Sequence, residues 1–251
     1  MIKDPLRPFR KVGNWGYFMR DIGRALRDPA TYGGETIRQM RNIGVDSVPL
    51  AAIVAAFIGA VTAFQTRYQL FGGVQLSVVG LISRQSIVLE LGPLLTGLVL
   101  TGRVGARITA EIGTMRVTDQ IDALTTLSTN PYRYLVVPRL IAGLTMLPIL
   151  VFIADIIGVF GGFLVSTYKL GFNASSYIQR SVDFLQTQDV VAGLAKAAVF
   201  GFIVTLMGCY NGYHSRGGAQ GVGAATTYAV VSASILILVF DYVLTEAFFA
   251  R

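Results

Sequence analysis

The sequence predicts an all-α integral membrane protein. Its five transmembrane helices follow an N-terminal amphipathic interfacial helix and are interrupted by a short cytoplasmic helix. Three observations predict it. Of 251 residues, 53% are apolar and only 14% charged, with a mean hydropathy of +0.59. A soluble domain carries about 25% charged residues, so this chain has too little polar material to cover a wetted surface. Five apolar runs approach the roughly 20 residues that a bilayer span requires. Finally, the net charge of +7 is concentrated in the first 41 residues, beside the apolar runs, which points to a membrane surface and not to nucleic acid. With one cysteine (Cys209) and one histidine (His214), the chain has little material for an intrachain disulfide, a metal site or a nucleophile–histidine triad.

The first 47 residues form a cytoplasmic or interfacial segment, and residues 48–251 the membrane domain. Trp15, Phe18, Met19, Ile22 and Leu26 share one helical face, while Arg20, Arg24 and Arg27, with Asp21 and Asp28, lie opposite. An apolar face bearing tryptophan and a basic opposite face describe a helix lying in the membrane interface; a soluble helix packed on another protein surface is the alternative. The spans then run from about Val48 to Thr66, Ile87 to Gly102, Tyr134 to Thr167, Val190 to Tyr210 and Tyr228 to Phe249. The second is short and must borrow from its polar flanks. Fifteen of the 21 lysines and arginines lie in the amino-terminal segment or in the connections after spans two and four. The positive-inside rule therefore places the amino terminus in the cytoplasm and, after five spans, the carboxyl terminus outside. No cleavable signal peptide is expected, since the basic start leads into an amphipathic stretch.

Between spans two and three, residues 117–129 suggest a short cytoplasmic helix. Thr118 reads as its N-cap, Asp119 and Asp122 as first-turn anions, and Val117, Ile121 and Leu124 as a narrow apolar stripe. Asn130-Pro131 ends it. So short a helix needs a docking surface, supplied either by its own bundle or by another chain. The glycine-rich stretch Gly217–Thr226 lacks the lysine of a phosphate-binding loop and reads as a flexible cytoplasmic connection.

Ionisable groups inside spans are costly and usually functional. Glu90, Lys196 and Asp241 fall at similar depth on the outer side, so they can form a carboxylate–lysine–carboxylate cluster within one chain or across a dimer. Such a cluster is either a buried ion network that fixes helix register or the polar rim of a ligand pocket. Asp155 and Glu246 have no evident counterpart and read as water-facing. Ala52, Ala56 and Ala60, Gly158 and Gly162, and Gly208 and Gly212 permit close helix approach.

The stretches LELGPLLTGLVLTGRVGARITAEIGTMRVTDQIDAL (89–124) and NPYRYLVVPRLIAG (130–143), followed by Asn211-Gly212-Tyr213 and FDYVLTEAFF (240–249), closely resemble the MlaE/YrbE family. These are permease subunits of ABC transporters that move phospholipid-like lipids between membranes. The resemblance implies a homodimer that binds two copies of a separate ATPase, which supplies ATP-Mg hydrolysis, so this chain is expected to be neither an enzyme nor a cofactor carrier. It also implies an MCE-domain protein on the outer face and, in some systems, a STAS-domain protein. The short helix would be the coupling helix, with Met115, Thr118, Asp119, Ile121, Asp122 and Leu124 facing the ATPase. Glu90, Lys196 and Asp241 match polar positions of the family's outward-facing lipid cavity, with Ile58, Val61, Leu94 and Leu98 against acyl chains. Leu89 departs from relatives that carry a basic residue there. The expected location is a bacterial inner membrane, although related permeases also occur in the chloroplast inner envelope. Two other readings stay open: a transporter driven by an ion gradient through the three charged residues, and a membrane anchor that moves nothing.

Overall fold

The computed structural model describes residues 7–26, 33–69, 78–183 and 186–249. Arg27 and Asp28, read above as part of the polar face of the interfacial helix, lie outside them. In chain order the helices are α1 (Arg7–Ala25), α2 (Gly33–Ile43), α3 (Val48–Gln69), α4 (Val78–Ser86), α5 (Gly92–Leu100), α6 (Ala106–Val117), α7 (Gln120–Thr126), α8 (Val137–Tyr168), α9 (Ala174–Asp183), α10 (Thr187–Tyr213) and α11 (Gly218–Phe249). Wider π-turns at Ile87–Leu91, Thr101–Gly105 and Tyr132–Val136 join several of them end to end. Among the described residues there is no strand. Among the described residues, five helical stretches are long and apolar enough to cross a membrane: Gly33–Gln69, Val79–Val117, Tyr132–Tyr168, Thr187–Tyr213 and Gly218–Phe249.

In bilayer, association comes from close packing rather than from hiding apolar surface from water, and α3 shows this directly. Its small residues Ala51, Ala55, Gly59 and Ala63 are buried at four-residue spacing, while Ile53, Phe57, Val61 and Phe64 point outward. The small stripe lies on α8: a methyl group at Gly59 would strike the Gly158 carbonyl, and one at Gly161 the Ala56 carbonyl. Helix α10 uses the same device on two sides. Gly193 packs on the Val88 carbonyl and Gly201 on that of Gly143. This makes α10 the most enclosed span, with Phe200 at its centre beside Leu147, Leu150 and Ile237.

Three expectations need correction. The second span is not short. It is the middle of a 39-residue helical stretch that would measure roughly 58 Å at 1.5 Å per residue, so its polar ends extend past the hydrocarbon. The glycine-rich segment is not a flexible connection but the first turns of α11. Gly217 and Gly218 take positive φ (91° and 68°) to turn the chain, and Val222 then packs against Gly113. The short helix spans only Gln120–Thr126 and is not capped by Thr118, whose hydroxyl donates back to the Thr114 carbonyl at 2.8 Å. Asp119 is the N-cap instead, at φ 59° with no side-chain cap bond. That left-handed step, tolerated by aspartate, folds α7 back beside α6.

The apolar face of α1 divides. Phe18 and Ile22 are buried and Trp15 half-buried, whereas Met19 and Leu26 are exposed along with Tyr17. Trp15 stacks on Tyr210 with ring centroids 4.0 Å apart, and Phe18 meets Tyr132 and Tyr210 edge-on at 5.6 and 5.3 Å. Each such aromatic pair contributes about 0.5–1.5 kcal/mol beyond area burial, so α1 is held on the bundle by one half of its stripe.

Candidate functional site: a buried ion cluster between three helical stretches

The site begins with a missing hydrogen. In a regular helix the Leu89 carbonyl would accept from the amide of residue 93, but that residue is Pro93, which has none. The π-turn at Ile87–Leu91 immediately precedes it. Gly193, with no side chain, lets α10 approach this turn, and Lys196 follows one turn later on the same buried face. Its ammonium, fully buried, donates to the freed Leu89 carbonyl at 3.1 Å.

The same ammonium lies 2.9 Å from Glu90 Oε1 and 3.1 Å from Asp241 Oδ1, and donates to Thr245 Oγ1 at 2.7 Å. Thr245, one turn beyond Asp241 on α11, closes the arrangement: its oxygen lies 3.0 Å from Glu90 Oε1 and 2.8 Å from the Asp241 carbonyl. One cation therefore joins the second, fourth and fifth helical stretches at a shared depth. The burial is uneven. The Glu90 side chain is 38% exposed and that of Asp241 14%, while Lys196 is sealed. With both carboxyls ionised the cluster holds one uncompensated negative charge, and its open side presents carboxylate oxygens.

The cluster forms within a single chain, one of the two arrangements that the sequence allowed. The other site residues are placed less simply. Leu94 and Leu98 are half-buried against the main apolar core, and Ile58 is half-buried on α3. Val61 lies on the face of α3 opposite the stripe packed on α8, so it points away from the interior that holds Lys196. Asp155 is not water-facing as expected. It is buried, its Oδ1 has no hydrogen-bond partner, and it presses on Gly92, where a methyl group would collide with it. Glu246 is exposed.

At the opposite end of the bundle, Ile121 is completely buried and Leu124 and Met115 are half-buried against the same core, so this part of the proposed contact set faces the chain's own interior. Thr118, Asp119 and Asp122 are exposed, as is Leu127 just beyond α7. Arg116 Nη1 donates to Asp122 Oδ1 at 2.6 Å and ties α7 to α6.

Sequence reasoning missed Thr245 and the Leu89 carbonyl. A threonine four residues after an intramembrane aspartate was the available signal for the first, and Pro93 four residues after Leu89 for the second. It also missed Arg84 and Asp189, both buried and close enough to interact electrostatically, and the Glu111 carboxylate held between Arg107 (2.9 Å) and Arg139 (3.1 Å).

A bundle of five membrane-length helices with a sealed cation near one end and a short polar helix at the other has the architecture of a transporter's membrane subunit. Comparison with known proteins makes that specific. Residues 36–247 match the family of the permease MlaE, and the chain belongs to that family. It is 48% identical over 242 residues to a probable ABC transporter permease protein of Rickettsia felis, covering 96% of this chain and 93% of that protein. It is 34% identical over 246 residues to the intermembrane phospholipid transport system permease protein MlaE of Haemophilus influenzae, with coverage of 96% and 93%. Similarity extends to TRIGALACTOSYLDIACYLGLYCEROL 1 of Arabidopsis thaliana, chloroplastic, at 33% over 215 residues, 85% of this chain and 61% of that protein. The chain is thus a multi-pass ABC transporter permease, a subunit type that works with a separate ATPase.

Proposed function

We propose that this permease moves phospholipid-like lipids between membranes, with Glu90, Lys196, Asp241 and Thr245 as the polar end of its lipid site. The observation that carries the reading is the sealed Lys196 ammonium with two partly open carboxylates at one level of the bundle. Ionic groups in a membrane interior are retained where they do work, and the Haemophilus relative is named for intermembrane phospholipid transport. Leu94, Leu98 and the half-buried Ile58 would flank the lipid's acyl chains, whereas Val61, which points away from Lys196, is left out of the site.

In the assembly we propose, two copies of the chain sit in a bacterial inner membrane with their amino termini in the cytoplasm and carboxyl termini in the periplasm. The exposed half of the α1 stripe, Met19 and Leu26, lies in the interface. Two ATPase subunits bind below on Thr118, Asp119, Asp122 and Leu127, supplying ATP and Mg²⁺ chemistry that this chain does not perform. An MCE-domain protein continues the lipid path outside, and a STAS-domain protein attaches to the ATPase where the system has one. Movement of α7 reaches the cluster along one continuous element: the Arg116–Asp122 bridge joins α7 to α6, and α6 runs unbroken through two π-turns to Glu90.

Native mass spectrometry of the complex purified through this chain tests the reading. A 2:2 assembly with an ATPase carrying phospholipid is expected, and that lipid should be lost when Glu90, Lys196 and Asp241 are changed to Gln, Met and Asn. A second reading, a carrier coupled to an ion gradient, is favoured by the lone buried Asp155 carboxyl. The chain isolated without ATPase or lipid under gentle extraction would support it instead.

A further inference from the structure

We propose that a groove at the amino-terminal end of the bundle binds the phosphate of an anionic lipid headgroup from the adjoining leaflet. The groove has a volume of about 610 Å³ and lies between α2, α6 and the start of α8, within the size range of small-ligand sites. Arg38, Arg107 and Arg139 line it, and Arg103 lines an adjoining cleft that shares Arg107 and Glu111. Four guanidinium groups thus meet two carboxylates, Glu35 and Glu111, which leaves two positive charges in excess.

Arg107 is bonded to Glu111 at 2.9 Å and Arg38 lies 3.7 Å from Glu35, but the other two arginines keep an N–H that no protein group accepts. Arg139 has a side chain only 6% exposed. Its Nη1 donates to the Leu135 carbonyl at 2.6 Å and its Nη2 to Glu111 at 3.1 Å, but its Nε has no partner. The Nη1 of Arg103 is likewise buried and without a partner. Holding a buried guanidinium with an unused N–H is costly, and a phosphate, which accepts from several arginine forks at once, is the anion that such a set recognises best.

Depth and surroundings identify the source of the phosphate. Arg139 stands three residues into α8, at the start of its long apolar run, which is headgroup level for the leaflet on that side. Tyr134, just ahead of α8, lines the groove and is exposed, an aromatic side chain of the kind that sits at the membrane–water interface beside lipid headgroups. The site lies at the opposite end of the spans from Lys196, so it is separate from the proposed transport site and does not rest on it.

The test uses the full chain released from nanodiscs of equal phosphatidylglycerol and phosphatidylcholine, with retained lipid counted by native mass spectrometry. Retained phosphatidylglycerol should exceed phosphatidylcholine, the excess should fall about tenfold in Arg103→Gln/Arg107→Gln, and Lys196→Met should keep it. Arg139→Lys, which keeps the charge and loses the fork, should fall in between. Equal retention of the two lipids overturns the proposal. So does loss of the preference in Lys196→Met alone, which would place the anion at the other cluster. Full displacement by millimolar inorganic phosphate would make it a free-phosphate site. If the double variant keeps its lipids and instead loses a co-purifying ATPase, the groove is a protein-docking surface.

Discussion

Replacing Lys196 with methionine removes the one cation that joins three helical stretches. Methionine keeps nearly the same length, so little cavity is created, and the loss is electrostatic. Glu90 and Asp241 would then face each other, with only the Thr245 hydroxyl left to Glu90 and the Leu89 carbonyl left without its donor. Removing one member of a buried ion pair costs about 3–5 kcal/mol because the remaining charge stays buried. The exposed Arg107–Glu111 contact, by contrast, is of a kind that contributes about 0.2–1 kcal/mol. The partial exposure of Glu90 puts the expected loss near the lower end, about 3 kcal/mol, which corresponds to a fall of roughly 6–12 °C in melting temperature. Thermal unfolding in a neutral detergent measures it. The further changes Glu90→Gln and Asp241→Asn leave a neutral, hydrogen-bonding cluster and should restore most of the stability without restoring lipid binding. A Lys196→Met protein melting within 1–2 °C of the parent would refute the claim that the cation holds the three stretches together. Recovery of lipid binding together with stability would show that the cluster only fixes register.

Four further outcomes are expected. Thr245→Val, which removes the hydroxyl shared by Lys196 and Glu90, should cost about 1–3 kcal/mol, read as a smaller drop in the same melt. Gly59→Leu should prevent α3 from seating on α8, seen as loss of a disulfide crosslink between cysteines placed on the two helices. Leu127→Asp should weaken ATPase co-purification while leaving the melt unchanged, whereas Ile121→Asp should lower the melting temperature by burying an unpaired charge; the opposite pattern would reverse the assignment of the two faces of α7. In a cysteine scan of α1, Met19→Cys should react with a membrane-permeant maleimide and Phe18→Cys should be protected, because only the second side chain is inside the bundle.

What the sequence made legible followed from chemistry with a long reach along the chain. Apolar run length gave the spans, and the cost of an ion in hydrocarbon singled out Glu90, Lys196 and Asp241 before their contact was known. What it concealed depends on a single backbone torsion or on a neighbour distant in sequence. Asp119 at positive φ converts one expected helix into a turn and seven residues of α7. Glycines that read as a flexible loop are helical because α11 finds Gly113 beside Val222. The stripe Val117–Ile121–Leu124 was visible as apolar, yet spacing alone could not say that Ile121 packs on its own bundle. The Leu89 carbonyl, a full partner of Lys196, has no side-chain signature at all and is betrayed only by Pro93.

In the function proposed above, ATP-driven lipid movement passes through the Lys196 cluster. Its most direct test is reconstitution of the complex, purified through this chain, into vesicles containing a fluorescent phospholipid, with transfer to acceptor vesicles followed over time. Transfer is expected to require ATP, to survive collapse of the proton gradient, and to be lost in the folded Glu90→Gln/Lys196→Met/Asp241→Asn protein. Transfer by the chain alone that stops when the gradient is collapsed, or undiminished ATP-driven transfer by the neutralised cluster, would contradict it.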